Sequence, residues 1–405
     1  MKLPLEGIRV IDAAAFGAAP LAAALLGEWG AEIIHIEHPV RGDGTRGVQS
    51  GAGIGLFQQF RVNYAMEFFN HNKKSVTVDL AHEQGKEIMH RLARKSDVFI
   101  SNFRPHELKR YELEYQNLST LNTKIIYANL TGYGRKGPDR EKPGFDSCAY
   151  FARTGITHQL SALNASPVLS RPAMGDNISG LVLFCGIVLA LLARERLGIG
   201  QEVDVSLFNT GVFSLALDIQ GALLTGKEFE PERRETTKNP LRNFYCTKDR
   251  RWLLLSMMQP DSYWPAFCQA IDRAELEHDI RFDSFEHKQK NCAELINILD
   301  KIFASRTLAE WKEHLKKYNL VWEPVQSLTD VVADPQARPN GVFVTFNHPS
   351  YGAIELVSNP VKLSKTPGSI RAPAPEFSQH TEEILLELGY SWDDIGILKE
   401  QKVIF

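Results

Sequence analysis

The stretch GIRVIDAAAFGAAPLAAALLGEWGAEIIHIE, residues 7–37, decides the fold. Residues 7–14 form an apolar run typical of a β-strand, and residues 31–37 form a second one. Between them, residues 20–30 have an apolar helical composition and open with Pro20. Proline is favoured in the first turn of a helix because its missing N–H would have no partner there. A strand, a helix and a strand within about 30 residues predict a βαβ unit, and therefore a parallel sheet covered by helices.

The same alternation continues downstream and predicts an open α/β sheet over residues 1–140. A long apolar helix follows, with Gly198 in the position of a C-terminal cap. The run of apolar residues within it, 180–193, is shorter than the roughly 20 residues that a membrane span needs, which favours a buried helix. The predicted elements are strands at 75–80, 97–103, 124–132 and 201–210, and helices at 82–96, 177–197 and 211–225.

The chain has 405 residues, which predicts two domains. Residues 225–240 are charged, contain two prolines and lack an apolar face, so we interpret them as a linker. A smaller α/β segment follows, and the chain ends in a helical stretch, 380–404, capped by Thr381. The predicted domains are a large domain that begins with 1–225, a small domain with its linker at 226–330, and a return to the large domain at 331–405.

Composition excludes several classes of protein. The 46 basic and 49 acidic residues give a net charge of −3, which does not favour binding to nucleic acid or to a membrane surface. The five cysteines form no CxxC pair and the twelve histidines no HExxH motif, so we expect neither a disulfide framework nor a metal site. Reduced thiols are typical of a cytoplasmic protein.

Basic segments occur where predicted strands end. They are HPVRGDGTRG (38–47), NKKS (72–75) and NFRP (102–105). Ligands of open α/β sheets bind beyond the carboxyl ends of the strands, so these side chains converge on phosphates or are simply solvated. The turn AAAFGAAP (13–20) is rich in small residues, which suits either close approach by a ligand or tight packing of a helix. This turn after the first predicted strand contains neither of the nucleotide-binding motifs GxGxxG and GxxxxGK[ST].

Two aspartates are candidates for chemistry, and both have a structural alternative. Asp146 follows Phe145 and stands in the position of an N-cap. Asp176, in RPAMGDNISG (171–180), is either the N-cap of the long helix or a nucleophile that the positive end of the helix keeps ionised. In the second case Gly175 leaves room for an acyl group. The residues alone leave both roles of Asp176 open.

The whole pattern resembles the class III CoA-transferases. The matching pieces include LEGIRVIDAA, NKKSVTVDL, DVFISNFRP, GFDSCAYFARTG and GDNISGLVLFCGIV, and the similarity is strongest over 1–215 and returns near 320–405. GFDSCAYFARTG looks most like the transferases that act on 2-hydroxy acids such as aryllactates and 2-hydroxyisocaproate. The resemblance implies a Rossmann-like large domain, a smaller α/β domain and an interlocked homodimer.

The resemblance also implies the reaction. Asp176 is the nucleophile, and CoA passes from an acyl-CoA donor to a free carboxylic acid through mixed anhydrides and an aspartyl-CoA thioester. CoA is a substrate here, and no cofactor is permanently bound. The positions that match the CoA contacts of the family are Phe16, Gly17, Ala18, His38, Arg41, Lys73, Lys74, Asn102, Phe103, Arg104, Arg110 and Lys142.

Two departures from the pattern bear on the substrate. Gly17 stands where formyl-CoA transferases have a glutamine, which implies a larger acyl group. Met258 and Gln259 stand in place of a glycine-rich loop that shields the intermediate. The alternatives are an α-methylacyl-CoA racemase and a CoA-binding protein without catalysis. Racemases have a histidine where this chain has Phe145, which cannot move protons, so a transferase is favoured.

Overall fold

Six parallel strands in the order β3-β2-β1-β4-β5-β6 form the central sheet. The structure is a computed structural model and describes residues 2–47, 62–161, 165–231, 233–235 and 237–405. The order is that of a doubly wound, Rossmann-like sheet, which confirms the predicted fold class. The strands of this sheet are β1 (Arg9–Ala13), β2 (Glu32–Glu37), β3 (Lys73–Thr77), β4 (Val98–Ser101), β5 (Ile126–Thr131) and β6 (Gln201–Ser206).

Helices cover both faces of this sheet, as the alternation of strands and helices requires. Around it lie α1 (Ala18–Glu28), α2 (Tyr64–Asn70), α3 (Glu83–Arg94), α4 (Pro105–Arg110), α5 (Tyr115–Leu121), α6 (Ile156–Leu160), α7 (Met174–Leu197), α8 (Leu207–Ser214) and α9 (Ala216–Thr225).

The described chain divides into two compact units. The first comprises residues 1–158, 167–229 and 340–405, and the second 159–166 and 230–339. The sequence placed these boundaries after residues 225 and 330. The first unit also contains the antiparallel pair β10 (Phe343–His348) and β11 (Gly352–Val357), and the helices α15 (Thr381–Glu387) and α16 (Trp392–Glu400).

The second unit is a small α/β body with its own apolar core. Its antiparallel sheet consists of β7 (Arg242–Cys246), β8 (Trp252–Ser256) and β9 (Trp322–Pro324). Its helices are α10 (Pro260–Ala270), α11 (Phe285–Lys290), α12 (Cys292–Phe303), α13 (Leu308–Leu315) and α14 (Leu328–Val332).

The long helix α7 packs on α1 through small residues. A Cβ atom added at Gly180 would lie 2.5 Å from the carbonyl oxygen of Ala18, so only glycine allows this approach. The prediction of a buried helix holds for this face alone, since Leu189 and Leu192 on the other face are exposed. The helix α7 has 24 residues, whereas the apolar run in the sequence, residues 180–193, has 14. By length and composition it could cross a membrane, a test that core helices of soluble proteins also pass.

Several element boundaries differ from the prediction. The predicted helix at 211–225 is two helices, α8 and α9. The strand β3 begins at Lys73, two residues earlier than predicted, because Lys73 pairs with Ile33 of β2. The strand β6 ends at Ser206, whose side chain caps α8 by accepting the N–H of Asn209. Thr381 is the first residue of α15 and not its cap, because its hydroxyl accepts the N–H of Thr77 on β3.

Candidate active site

Asp176 lies in the first turn of α7, with its side chain turned toward the turn that follows β1. The helix begins at Met174, three residues earlier than predicted, and Ala173 is its N-cap with a left-handed backbone (φ 64°). The prediction that Asp176 caps this helix is therefore wrong, because Asp176 is already helical. The carboxylate of Asp176 is therefore available for a role other than capping.

The turn after β1 covers Asp176 closely. A Cβ atom added at Gly17 would lie 2.7 Å from Asp176 Oδ2 and 3.1 Å from its Cγ. Gly17 is also the N-cap of α1 and has no side chain to occupy the N–H groups of the first turn. The N-terminus of α1 therefore opens beside the Asp176 carboxyl, where free N–H groups favour negative charge.

Asp146 is the second carboxyl of the site. It is buried, and burial raises its pKa, while the backbone N–H groups of Ser147, Gly175 and Ala173 partly oppose that shift. Residues 147–152 form a π-helical turn with Asp146 in its N-cap position, as predicted, but the side chain of Asp146 makes no capping hydrogen bond to it. The N–H groups at the start of α7 act on Asp146 instead.

The pKa of Asp176 differs from the expectation based on the helix terminus. Burial raises it to about 7, and the neighbouring charge of Asp146 adds to the shift. The expectation was a carboxylate kept ionised by the start of α7, and the correction has two causes. The site is shielded from water, and the N–H groups of that helix end act on Asp146. A carboxyl that titrates near neutral pH is typical of a catalytic site.

Gly175 does not leave space for a substrate, contrary to the expectation. A Cβ atom at this position would lie 2.6 Å from Cγ of Tyr150, so the missing side chain is filled by the tyrosine. The hydroxyl of Tyr150 lies 2.7 Å from that of Ser214 on α8, which fixes the ring. Gly175 thus brings α7 close to the segment that carries Asp146.

Two exposed phenyl rings flank the carboxyls. Phe16 precedes Gly17, and Phe145 precedes Asp146. Their rings meet edge to face with centroids 5.8 Å apart, while 44% of Phe16 and 63% of Phe145 is exposed. Exposed rings in mutual contact beside a buried acid form an apolar surface at the mouth of the site.

A cavity of about 330 Å³ lies at the carboxyl ends of β1, β2 and β3. It brings together four residues of the predicted CoA-binding set: His38, Arg41, Phe103 and Arg110. Residues 13–15 form part of its wall, and the same turn continues to Gly17, which covers Asp176. Two arginines and an aromatic ring suit a nucleotide with phosphates.

Lys73 and Lys74, also predicted to contact CoA, do not line this cavity. The ammonium of Lys73 is fully buried and lies 2.7 Å from Asp12 Oδ2 and 2.8 Å from Asn70 Oδ1. Lys74 lies at the same amino end of β3, where it forms ion pairs with Glu32 and Glu383. The sequence placed both lysines in a loop at the carboxyl end of a strand. In the structure they are the first two residues of β3, at the amino end of the parallel strands.

The other predicted contacts do not line this cavity. Asn102 joins the two strand ends, since its amide donates to the carbonyl of Ala15 at 2.8 Å and accepts its N–H at 3.2 Å. Ala18 is buried at the start of α1. Arg104 pairs with Glu107 in α4, and Lys142 lies over the ring of Tyr133.

Sequence reasoning missed a buried charged cluster below the cavity. His35 Nδ1 lies 2.9 Å from Asp12 Oδ2, and His35 Nε2 lies 3.5 Å from Asp43 Oδ2. Burial alone would lower the pKa of His35, but Asp12 and Asp43 raise it to about 9. A signal was available: strands buried in a parallel sheet are almost continuously apolar, and Asp12 and His35 interrupt two of them.

Comparison with known proteins agrees with this arrangement. The sequence model of CoA-transferase family III matches residues 5–381. (R)-2-hydroxy-4-methylpentanoate CoA-transferase of Clostridioides difficile is 34% identical over 99% of this chain and 99% of its own. Cinnamoyl-CoA:phenyllactate CoA-transferase of Clostridium sporogenes is 31% identical, covering 98% and 97% respectively. A CAIB/BAIF family protein from Brucella suis has a similar structure, with a TM-score of 0.83, 26% identity and coverage of 96% and 100%.

Proposed function

Since this chain belongs to CoA-transferase family III, we propose that Asp176 carries the transfer of CoA from an acyl-CoA to a free carboxylic acid. The observation that supports this role is the position of the Asp176 carboxyl. It lies partly buried against Gly17 in the turn after β1, beside the N-terminus of α1, and the start of the same turn, residues 13–15, forms part of the wall of the cavity lined by Arg41 and Arg110. We expect a thioester whose CoA part occupies the cavity to reach this carboxyl.

The first half of the reaction releases the donor acid. A carboxylate oxygen of Asp176 attacks the thioester carbonyl, the carbon–sulfur bond breaks, and CoA leaves as the thiolate. The product is a mixed anhydride between Asp176 and the acyl group. The thiolate then attacks the carbonyl carbon of Asp176, which releases the donor carboxylate and leaves an aspartyl-CoA thioester.

The second half repeats these steps in reverse. The carboxylate of the acceptor acid attacks the aspartyl-CoA carbonyl and expels the thiolate, which gives a second mixed anhydride. The thiolate then attacks the acyl carbonyl of the acceptor, so Asp176 leaves as a carboxylate with the new acyl-CoA complete. Each intermediate is an activated acyl group, so the transfer needs no nucleoside triphosphate.

The environment of Asp176 suits this sequence in two ways. The partial burial of Asp176 limits the access of water, which would otherwise hydrolyse the anhydride. Backbone N–H groups at the N-terminus of α1, beside Gly17, are expected to stabilise the negative charge that develops on the attacked carbonyl oxygen. The α-methylacyl-CoA racemase alternative lacks an acid–base group at Phe145, whose exposed ring packs on Phe16.

Intact mass spectrometry of the protein incubated with an acyl-CoA tests the role of Asp176. We expect acyl and CoA adducts on the protein. Hydroxylamine should release the CoA of the thioester adduct and leave a hydroxamate on the peptide that contains Asp176. Asp176→Ala and Asp176→Asn should form no adduct, provided that deamidation of the asparagine is excluded. Adducts on the Asp176→Ala protein, or its normal turnover, would contradict the proposed role.

We further propose that the acids are 2-hydroxy acids with an apolar alkyl or aryl substituent. The names of two relatives specify such acids, 2-hydroxy-4-methylpentanoate and phenyllactate. The edge-to-face rings of Phe16 and Phe145 offer an apolar surface of matching chemistry. The expectation that Gly17 leaves room for a larger acyl group is corrected by the structure: a Cβ atom there would lie 2.7 Å from Asp176 Oδ2, so the carboxyl of Asp176 fills that space.

A panel of acids of increasing side-chain size tests this substrate class. Phe145→Ala should lower kcat/KM roughly tenfold for aryl and branched acids and leave lactate nearly unchanged. Phe285→Ala, which removes a partly exposed ring (39%) from the second unit, is the control. Equal losses for lactate and for the large acids would contradict a role of Phe145 in recognising the substituent.

We also propose a cytoplasmic homodimer, interlocked as the family resemblance implies. Apolar side chains are exposed on three consecutive helices, among them Leu189 on α7, Phe213 on α8 and Leu217 on α9, of which 91% is exposed. Apolar surface on this scale marks an interface. Light scattering should give twice the 45.6 kDa of one chain. A monomer that sediments with lipid vesicles would contradict the proposal.

A further inference from the structure

We propose that Asp43 and Gly44 clamp Phe16 and thereby position Asp176 for attack. This inference rests on the proposed function and adds two positioning residues that do not touch the reacting atoms. The clamp connects the loop that lines the CoA cavity with the turn that covers the nucleophile. Three sets of contacts support it.

The first concerns the backbone of Phe16. Its φ is 68°, a left-handed conformation that a bulky residue seldom adopts and that the surroundings must enforce. Its N–H donates to Asp43 Oδ2 at 3.3 Å. Its ring lies over Gly44, where an added Cβ atom would come within 2.4 Å of Cε1 and Cζ. Two consecutive residues therefore hold both the backbone and the ring of Phe16.

The second concerns the carboxylate of Asp43, which is fixed from several sides. The N–H of Thr45 donates to Asp43 Oδ1 at 2.6 Å, and the N–H of Asp43 donates to Glu37 Oε2 at 2.8 Å. Asp43 Oδ2 faces His35 Nε2 at 3.5 Å. Burial would raise the pKa of Asp43, but His35 and Thr45 lower it to about 2, so the carboxylate stays charged near neutral pH.

The third set anchors the clamp in the sheet. His35 on β2 lies between Asp43 and Asp12, and Asp12 on β1 also binds the ammonium of Lys73 on β3. All four side chains are fully shielded from water. Charged groups in such a site are rigid because separating them would leave an unpaired buried charge. The position of Asp43, and with it that of Phe16, is therefore set by side chains of the central sheet.

The connection to Asp176 is direct along the chain. Gly17 follows Phe16, and a Cβ atom at Gly17 would almost touch Asp176 Oδ2. If Phe16 relaxes to an ordinary backbone conformation, Gly17 moves and the cover over Asp176 changes. A displacement of about 1 Å at a reacting group costs roughly 100-fold in rate. His38 and Arg41, in the same loop as Asp43, line the cavity.

Gly44→Ala is the test, because its methyl group displaces the Phe16 ring without altering a charge. Gly47→Ala is the matched control: Gly47 has φ −104°, and among the residues that the structure describes its Cβ atom would meet nothing within 4 Å. We expect Gly44→Ala to slow adduct formation on Asp176 about tenfold or more at saturating acyl-CoA. The dissociation constant for CoA should change less than about threefold, and Gly47→Ala should behave as wild type.

Asp43→Asn provides a second perturbation, since it removes the charge that faces His35 and keeps the size of the side chain. A second readout is the pH at which a carbodiimide and an amine label Asp176, followed by peptide mass spectrometry. Displacing the cover hydrates the carboxyl, so we expect the labelling midpoint to fall in Gly44→Ala and in Asp43→Asn. This readout does not require transferase activity.

The outcomes separate this inference from the proposed function. Adducts that form at the wild-type rate in both variants, with an unshifted labelling midpoint, overturn the clamp and leave the function standing. A rate loss matched by an equal loss of CoA affinity also overturns it, because Asp43 would then serve binding alone. Absence of any wild-type adduct overturns the proposed function, while a shifted midpoint would still support the clamp.

Discussion

Gly17 and Asp176, 159 positions apart in the chain, approach so closely that a Cβ atom at position 17 would lie 2.7 Å from Asp176 Oδ2. The glycine is not needed for its backbone conformation, which is right-handed with φ −105° and ψ −78°. It is needed for space. This contact joins the N-terminus of α1 to the first turn of α7 and fixes where the carboxyl can point.

Gly17→Ala should therefore inactivate the enzyme without unfolding it. The added methyl group forces the Asp176 carboxyl to move, and we expect kcat/KM to fall about 100-fold while Tm changes little. Gly396→Ala, at an exposed position of α16 with free space around it, is the control and should leave kcat/KM unchanged. An active Gly17→Ala protein would show that the approach of these two residues has no role in the reaction.

The rate of adduct formation should rise with pH and reach half its maximum near pH 7. Burial, and then the charge of Asp146, raise the pKa of Asp176 to about 7, and only the carboxylate attacks a thioester. Asp146→Asn removes the like charge and should lower this midpoint. The share of the pKa shift that burial causes should remain. Single-turnover mass spectrometry across the pH range gives both midpoints.

Asp393→Asn, at an exposed position in the first turn of α16, controls for the loss of one negative charge. It should leave the midpoint where it is in the wild type. A wild-type midpoint below pH 5 would contradict the shielding of Asp176.

Asp176→Asn should gain stability relative to wild type as pH rises. The raised pKa means that the folded protein keeps this proton up to about pH 7, whereas the unfolded chain loses it near 3.8. The wild type therefore loses stability between these values, and the asparagine variant does not. We expect the difference in Tm, variant minus wild type, to grow by roughly a few degrees between pH 4.5 and pH 8. A constant difference across calorimetric scans would contradict this result.

Substitutions of the basic residues should separate binding from folding. Arg41→Ala and Arg110→Ala remove side chains that line the cavity, so we expect KM for the acyl-CoA to rise about tenfold with Tm unchanged. Lys73→Met leaves Asp12 buried beside His35 alone and should lower the free energy of unfolding by about 3–5 kcal/mol.

Lys74→Met is the matched control for Lys73→Met, since it removes the neighbouring lysine from a half-exposed pair. It should cost no more than about 1 kcal/mol. Denaturant unfolding measures both variants. Comparable stability of the two would show that Lys73 is not the buried counter-charge of Asp12, and a changed KM without lost stability would return Lys73 to the CoA site.

The sequence predicted the sheet well because periodicity is a local property. The strands β1, β2 and β4 and the helices α1 and α3 lie where apolar alternation and helical spacing placed them. Boundaries that depend on a partner were missed. The strand β3 extends to Lys73 because β2 pairs with it there, and Thr381 is used by the N–H of Thr77 and not by its own helix.

The same distinction between local and long-range features applies to the candidate site. By itself the sequence determined the βαβ order, the family, and the carboxylate at the start of a long apolar helix, since all three are read from neighbouring residues. Only the tertiary structure decided that Asp176 lies under Gly17, that Asp146 shares its environment, and that Lys73 is a counter-charge below the site. The physical reason is that burial and through-space charge set the chemistry of a carboxyl, and both depend on residues distant along the chain.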